Sequence, residues 1–135
     1  MIVDTSVLLA FFDNLDAHHA EATRVIDDSD ETLVISPFVL AELDHLLLTR
    51  YGVRVETAVL NALTEGAWEL ADFSITQLRS AVALVAKYAD ERIGLADASN
   101  VVLAETYHMT AIATLDRRHF GVLRFSNGHH VTVVP

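Results

Sequence analysis

The sequence contains no cysteine, and it has only 2 prolines and 5 glycines among 135 residues. The lack of cysteine excludes disulfide bonds and thiolate metal sites, and it is compatible with a reducing compartment. Basic residues are also scarce, since 9 Lys and Arg accompany 19 Asp and Glu and the net charge is −10. This balance argues against a protein that holds nucleic acid on a broad basic surface.

Long hydrophobic runs are missing too. No apolar stretch reaches the roughly 18 residues of a membrane-spanning helix, because acidic residues and arginines interrupt every candidate. The first residues lack the basic region of a secretory leader, so we expect a cytoplasmic chain outside any membrane. Apolar residues nevertheless make up 52% of the chain, and the mean hydropathy is +0.34. We therefore expect a single domain over residues 1–135 with a substantial core.

Short apolar runs alternate with helical patterns along the chain. Apolar and β-branched residues predict strands at residues 2–4, 33–35, 68–71, 111–114 and 131–134. Between them the patterns predict helices at residues 7–12, 17–28, 37–51, 55–63, 74–90 and 96–107. The helix at 37–51 is apolar on nearly all sides, so we expect it to be buried. The alternation predicts an α/β fold, with a mostly parallel central sheet of about five strands and helices on both faces.

Four acidic residues occupy positions where a charge is unexpected. Asp4 ends the first strand and Asp116 follows the fourth. Asp97 lies in the first turn of a predicted helix, and Glu42 lies inside the most apolar helix. The carboxyl ends of parallel strands and the starts of the following helices meet at one edge of the sheet, where ligands bind in open α/β folds. We therefore expect the four carboxylates to converge at that edge.

Each acid taken alone has a structural alternative. Asp4 and Asp116 could cap the following turn or helix, and Asp97 could simply favour the helix dipole. Glu42 could pair with His45 or Arg50 on its own helix. Taken together they are harder to explain, because two like charges near 4 Å repel by about 4 kcal/mol at an effective dielectric of 20. Converging carboxylates need protonation or a cation, and an all-oxygen site favours Mg²⁺ or Mn²⁺. Such an ion beside a phosphodiester can activate water and stabilise the leaving oxygen.

Four segments together resemble a PIN-domain ribonuclease, and more narrowly the VapC toxins of bacterial toxin–antitoxin pairs. They are Ile2-Val3-Asp4-Thr5-Ser6, Ala41-Glu42-Leu43, Arg92-Ile93-Gly94-Leu95-Ala96-Asp97-Ala98 and Thr114-Leu115-Asp116. The resemblance implies a PIN-like fold and Mg²⁺-dependent endonucleolytic hydrolysis of RNA, either tRNA or rRNA, with Mn²⁺ as a possible substitute. It also implies inhibition of translation, a homodimer, and a hetero-oligomer with a VapB-type antitoxin.

The resemblance also assigns roles by position. The acids that match the metal-binding and catalytic positions are Asp4, Glu42, Asp97 and Asp116. The positions that match supporting, hydrogen-bonding residues are Thr5, Ser6, Asn100 and Thr114. Three basic residues next to these segments could hold RNA phosphates, or they could be ordinary solvated arginines; they are Arg92, Arg117 and Arg118.

Two other functions stay open at this point. One is a PIN-like module that binds RNA or protein without cutting it. The other is a metal-dependent enzyme that acts on DNA or on a phosphate ester. The pairs His18-His19 and His129-His130 are poor candidates for a shared metal ion, because adjacent side chains point apart. The sequence shows no glycine-rich phosphate loop and no serine or cysteine nucleophile with an evident partner.

Overall fold

The structure is a computed structural model that describes residues 1–135. Its strands are β1 (Ile2–Val3), β2 (Leu33–Ile35), β3 (Trp68–Leu70), β4 (Ala111–Ala113) and β5 (Thr132–Val134). Its α-helices are α1 (Thr5–Phe12), α2 (His19–Asp27), α3 (Pro37–Tyr51), α4 (Val53–Leu63), α5 (Ile75–Lys87), α6 (Leu95–Thr106) and α7 (Arg117–Val122). A 3₁₀ helix covers Ala89–Glu91. None of the helices combines the length and hydrophobicity needed to cross a membrane.

The five strands form one parallel sheet in the order β3-β2-β1-β4-β5. The first strand therefore lies at the centre, between β2 and β4, and Ile2 and Val3 are fully buried. A parallel sheet of this kind has helices on its faces, because each crossover needs one. The predicted α/β fold with about five mostly parallel strands is confirmed.

Consecutive residues of the central strands point to opposite faces and pack into two separate cores. Ile2 and Ile112 belong to the core that also contains Leu103 of α6. Val3 and Ala113 belong to the other core, together with buried residues of α1, α3 and α4. Helices therefore cover both faces of the sheet, as the sequence predicts. The carboxyl edge of the strands lies between the two helix layers.

The helix α3 differs from its prediction, because the expectation that it is buried on all sides is wrong. Only Val39, Leu43 and Leu47 are buried, and their four-residue spacing forms one stripe that faces the core. Leu48 is 46% exposed, and Glu42 lies on the exposed surface of the helix. α3 thus buries only one side although apolar residues lie all around it, and Glu42 does not need a partner inside the core.

Two helix starts are set by aspartates at strand ends. α1 begins at Thr5, two residues before the predicted start, because Asp4 caps it and accepts the backbone N–H of Ser6. α7 is absent from the sequence prediction, and Asp116 caps it by accepting the backbone N–H of His119 at 2.9 Å. Both caps bring a carboxylate to the carboxyl edge of the sheet.

Candidate functional site

The four acidic residues line one pocket of about 350 Å³ at the carboxyl edge of the sheet. Each comes from a different element: Asp4 follows β1, Glu42 lies in α3, Asp97 lies in the first turn of α6, and Asp116 precedes α7. We call this space the acidic pocket; its lining is completed by Thr5, Ser6, Leu9, Leu46, Gly94 and His119. Neither Lys nor Arg lines it.

Asp4 is the most firmly held of the four acids. It is 4% exposed, and its Oδ1 accepts a hydrogen bond from Asn100 Nδ2 at 3.0 Å. Its Oδ2 accepts hydrogen bonds from Ser6 Oγ and Thr114 Oγ1, each at 2.8 Å. Thr114 in turn accepts the backbone N–H of Asp116 at 3.0 Å. Three of the predicted supporting residues therefore fix the orientation of Asp4 and join it to the segment that carries Asp116.

Glu42 reaches the acidic pocket from α3, which packs on the face of the sheet opposite to α6. Its Oε2 accepts a hydrogen bond from Thr5 Oγ1 at 2.5 Å. No ion pair joins Glu42 to His45 or Arg50, so the pairing considered for it within α3 is absent. The neighbours Thr5 and Ser6 therefore serve different carboxylates, Thr5 that of Glu42 and Ser6 that of Asp4.

The pocket contains one titratable side chain that is not among the residues predicted from the sequence, His119. Its Nδ1 lies 3.0 Å from Asp116 Oδ2 and 3.2 Å from Asp97 Oδ2. Asp97 Oδ2 also accepts the backbone N–H of Gly94 at 3.0 Å. The sequence feature that could have predicted His119 is its spacing of three residues from Asp116. This spacing places the two side chains on one face if a helix begins at Asp116.

The pKa of Asp97 shows that charge is costly in this pocket. Burial raises the pKa of Asp97 above its ordinary value, and the nearby charges of Asp4 and Asp116 raise it further. The Gly94 N–H and His119 act in the opposite direction. A carboxylate in these surroundings gains from a nearby cation, because the cation compensates both the burial and the like charges.

The donor chemistry of the pocket fits a hard divalent cation, since all four acids offer oxygen. However, no three acidic or histidine side chains form a group that could hold an ion in this arrangement. The predicted oxygen cage is thus a shared pocket and not a preformed coordination shell.

The three arginines singled out in the sequence differ in their surroundings. All three are exposed, and none forms an ion pair. Arg117 donates from Nη2 to the carbonyl oxygen of Pro135 at 2.7 Å, which directs it to the end of β5. Arg92 has a left-handed backbone, with φ of 55°, two residues before Gly94 at the rim of the pocket. Arg92 and Arg118 are therefore the two whose guanidinium groups make no hydrogen bond or ion pair.

An apolar groove adjoins the acidic pocket. It has a volume of about 200 Å³ and lies between α1, α3 and α4. Its lining consists of Leu9, Phe12, Asp13, Leu47, Tyr51, Val55 and Val59. Leu9 borders both spaces, and Tyr51 and Val55 are 42% and 36% exposed. A ligand lying in the groove would therefore meet the acidic pocket at Leu9.

Comparison with known sequences identifies relatives of the whole chain. The model of the PIN domain family matches residues 1–125. Ribonuclease VapC26 of Mycobacterium tuberculosis is 53% identical over 135 residues, and the match covers all of both chains.

Comparison with solved structures finds the same fold. VapC20 of Mycobacterium tuberculosis, described as a sarcin-ricin loop cleaving toxin, superimposes with a TM-score of 0.82 at 21% identity and covers 99% of this chain and 98% of its own. A toxin–antitoxin complex from Klebsiella pneumoniae has a TM-score of 0.71 at 19% identity, with coverage of 99% and 95%. VapBC2 of Rickettsia felis, bound to a promoter DNA fragment, has a TM-score of 0.69 at 18% identity, with coverage of 98% and 95%. At these identities the likeness shows a shared fold.

Proposed function

Because this chain belongs to the PIN-domain family, among the VapC ribonucleases, we propose that it is the endoribonuclease toxin of a toxin–antitoxin pair and hydrolyses RNA phosphodiester bonds with the help of a divalent metal ion. The observation that carries this proposal is the acidic pocket, where carboxylates from four separate elements meet without a Lys or Arg. The substrate would be a tRNA or rRNA, and its cleavage would inhibit translation in the cytoplasm.

Four carboxylates would hold the ion, directly or through water: Asp4, Glu42, Asp97 and Asp116. When bound, Mg²⁺, or Mn²⁺ in its place, supplies Lewis-acid activation of a water molecule and charge stabilisation at the leaving oxygen. Asn100, Ser6 and Thr114 would keep the Asp4 carboxylate in one orientation. Thr5 would do the same for Glu42.

Cleavage of RNA should depend strictly on a divalent ion. An RNA oligonucleotide is expected to be cut in Mg²⁺ or Mn²⁺, to stay intact in EDTA, and to be cut again when the ion is restored, whereas the matched DNA is not cut. Gel analysis of the products measures this. Equal cutting of DNA would favour the broader metal-dependent enzyme. RNA binding without cutting in Mn²⁺ would favour a non-catalytic module.

Arg92 and Arg118 would supply positive charge beside a pocket that by itself repels RNA. We expect Arg92→Gln and Arg118→Gln each to raise KM about fivefold with little change in kcat, because a lost phosphate contact of about 1 kcal/mol weakens substrate and transition state alike. Arg79→Gln is the matched control, because Arg79 lies on α5 and away from the acidic pocket. Its neighbour Gln77 donates a hydrogen bond to Thr106, at the opposite end of α6 from Asp97. A fall in kcat at unchanged KM would contradict the phosphate-binding role.

The partner we propose is a VapB-type antitoxin, in a complex with a homodimer of this chain. The groove between α1, α3 and α4 fits an apolar partner segment, and its continuity with the acidic pocket lets that segment place a cationic side chain among the acids. Such a side chain would take the place of the metal ion. That two similar structures contain toxin–antitoxin pairs supports the proposal.

A charge placed in this groove should weaken the antitoxin complex. Val55→Glu is expected to raise the dissociation constant at least about tenfold, because a buried, unpaired carboxylate costs more than 1.4 kcal/mol. Val82→Glu on α5, at a side chain that is 56% exposed on the other face of the sheet, is the control. Calorimetric titration with the antitoxin encoded beside this chain measures both. Equal affinity of wild type and Val55→Glu would remove the groove from the interface.

A further inference from the structure

His119 is the only basic side chain that lines the acidic pocket. One of its ring nitrogens, Nδ1, lies within hydrogen-bond distance of two acids at once, 3.0 Å from Asp116 Oδ2 and 3.2 Å from Asp97 Oδ2. These acids come from different helices and are distant in sequence. A single imidazole therefore ties together two of the four carboxylates to which we assign the metal ion.

The backbone around His119 is fixed, so only its side chain can move. Its N–H donates to Asp116 Oδ1 at 2.9 Å and closes the first turn of α7. The next residue, Phe120, is 1% exposed and anchors this helix in the core. The His119 side chain itself is 23% exposed, so rotation about its own bonds can carry the ring to solvent.

An ion held between Asp97 Oδ2 and Asp116 Oδ2 would take the two oxygens that meet at the imidazole. A ring nitrogen that donates a proton to a carboxylate cannot share that place with a divalent cation. Binding of an ion at this point must break both contacts of the ring.

We propose that His119 is a displaceable occupant of the cation position: its imidazole bridges Asp97 and Asp116 while the site is free of metal and leaves when an ion binds. The inference rests on the proposed function, since it takes these two acids to be metal-binding. His119 then stabilises the metal-free pocket and competes with the ion. Removal of the ring should tighten metal binding, which is the opposite of what removal of a metal ligand does.

The test is a calorimetric titration of the full chain with MnCl₂ at one fixed pH. His119→Ala and His119→Ser remove the bridging nitrogen, and their Mn²⁺ affinity is expected to rise about tenfold, the equivalent of one lost hydrogen bond to a charged group. His119→Asn carries an amide nitrogen at the same number of bonds from Cβ as Nδ1. Because it can restore the bridge, it is expected to stay within about twofold of wild type, a difference of roughly 0.4 kcal/mol. Cooperative melting without metal shows that each variant is folded.

The outcomes separate this inference from the proposed function. Weaker Mn²⁺ binding in His119→Ala would make the imidazole a ligand or a support, and unchanged binding would show that it does not compete; either result overturns the inference alone. If neither wild type nor any variant takes up Mn²⁺, the metal site and the inference are both overturned. RNA cleavage, measured separately, then decides on the ribonuclease activity.

Discussion

Asp4→Asn is expected to abolish RNA cleavage, with kcat/KM reduced at least about a thousandfold, and also to destabilise the protein. The loss of activity follows from removing a charge from the proposed metal site. The loss of stability follows from the hydrogen bonds, because both oxygens of Asp4 accept from Asn100, Ser6 or Thr114. The amide nitrogen of Asn would face these donors as a buried, unsatisfied donor, at a cost of about 1–3 kcal/mol.

Cleavage assays and thermal melting in EDTA measure the two effects of Asp4→Asn. The melting midpoint is expected to fall by roughly 4–10 °C in a chain of this size. Asp72→Asn, at an exposed aspartate outside the acidic pocket, should change neither quantity. Cleavage by the folded Asp4→Asn protein at the wild-type rate would refute the role of Asp4.

Asp97→Asn is expected to abolish cleavage as well, but to raise the metal-free melting midpoint. Its pKa is raised by burial and by the charges of Asp4 and Asp116, so the ionised carboxylate weakens the folded state. A neutral amide removes that charge, and its oxygen can still accept the N–H of Gly94. A gain of about 1 kcal/mol would correspond to roughly 4 °C.

The pH dependence of this gain has a definite sign. A carboxyl group whose folded pKa is raised binds its proton more tightly in the folded state, so stability falls as pH rises through the folded pKa. The advantage of Asp97→Asn should therefore vanish below the ordinary pKa of 3.8, where the wild-type carboxyl is protonated in both states, and grow as pH rises until it is full above the raised folded pKa. Melting in EDTA over that range measures it. A variant that is less stable than wild type at neutral pH would contradict the repulsion.

The sheet could be predicted because its signals are local. Ile2 and Val3 are apolar and β-branched, and Asp4 marks the point where strand gives way to helix. The helix α7 could not be predicted in this way, since six residues are too few for a periodic pattern. The prediction that α3 is buried on nearly all sides is wrong for another reason. Leucines on the exposed side of a helix cannot be told from core residues in a sequence.

The acids of the site and the residues that hydrogen-bond Asp4 and Glu42 could be predicted from the sequence, whereas the contacts of His119 could not. Asp4 and Asp116 stand at strand ends, and parallel strands end at one edge of the sheet. His119 contacts both acids only because Asp116 caps α7 and α6 brings Asp97 beside that cap. The contact between His119 and Asp97 joins residues of different helices, so no local sequence pattern predicts it. The engagement of Arg117 with Pro135 likewise depends on β5 lying beside β4.

The most direct test of a shared cation site is the binding of Mn²⁺, followed by the electron paramagnetic resonance signal of the free ion. Wild type is expected to remove this signal in a saturable manner. The variant Asp4→Asn/Glu42→Gln/Asp97→Asn/Asp116→Asn, if folded by circular dichroism, should leave the signal at its value in buffer. A wild-type protein that leaves free Mn²⁺ unchanged, or a quadruple variant that binds it as tightly, would show that these carboxylates do not hold a metal ion.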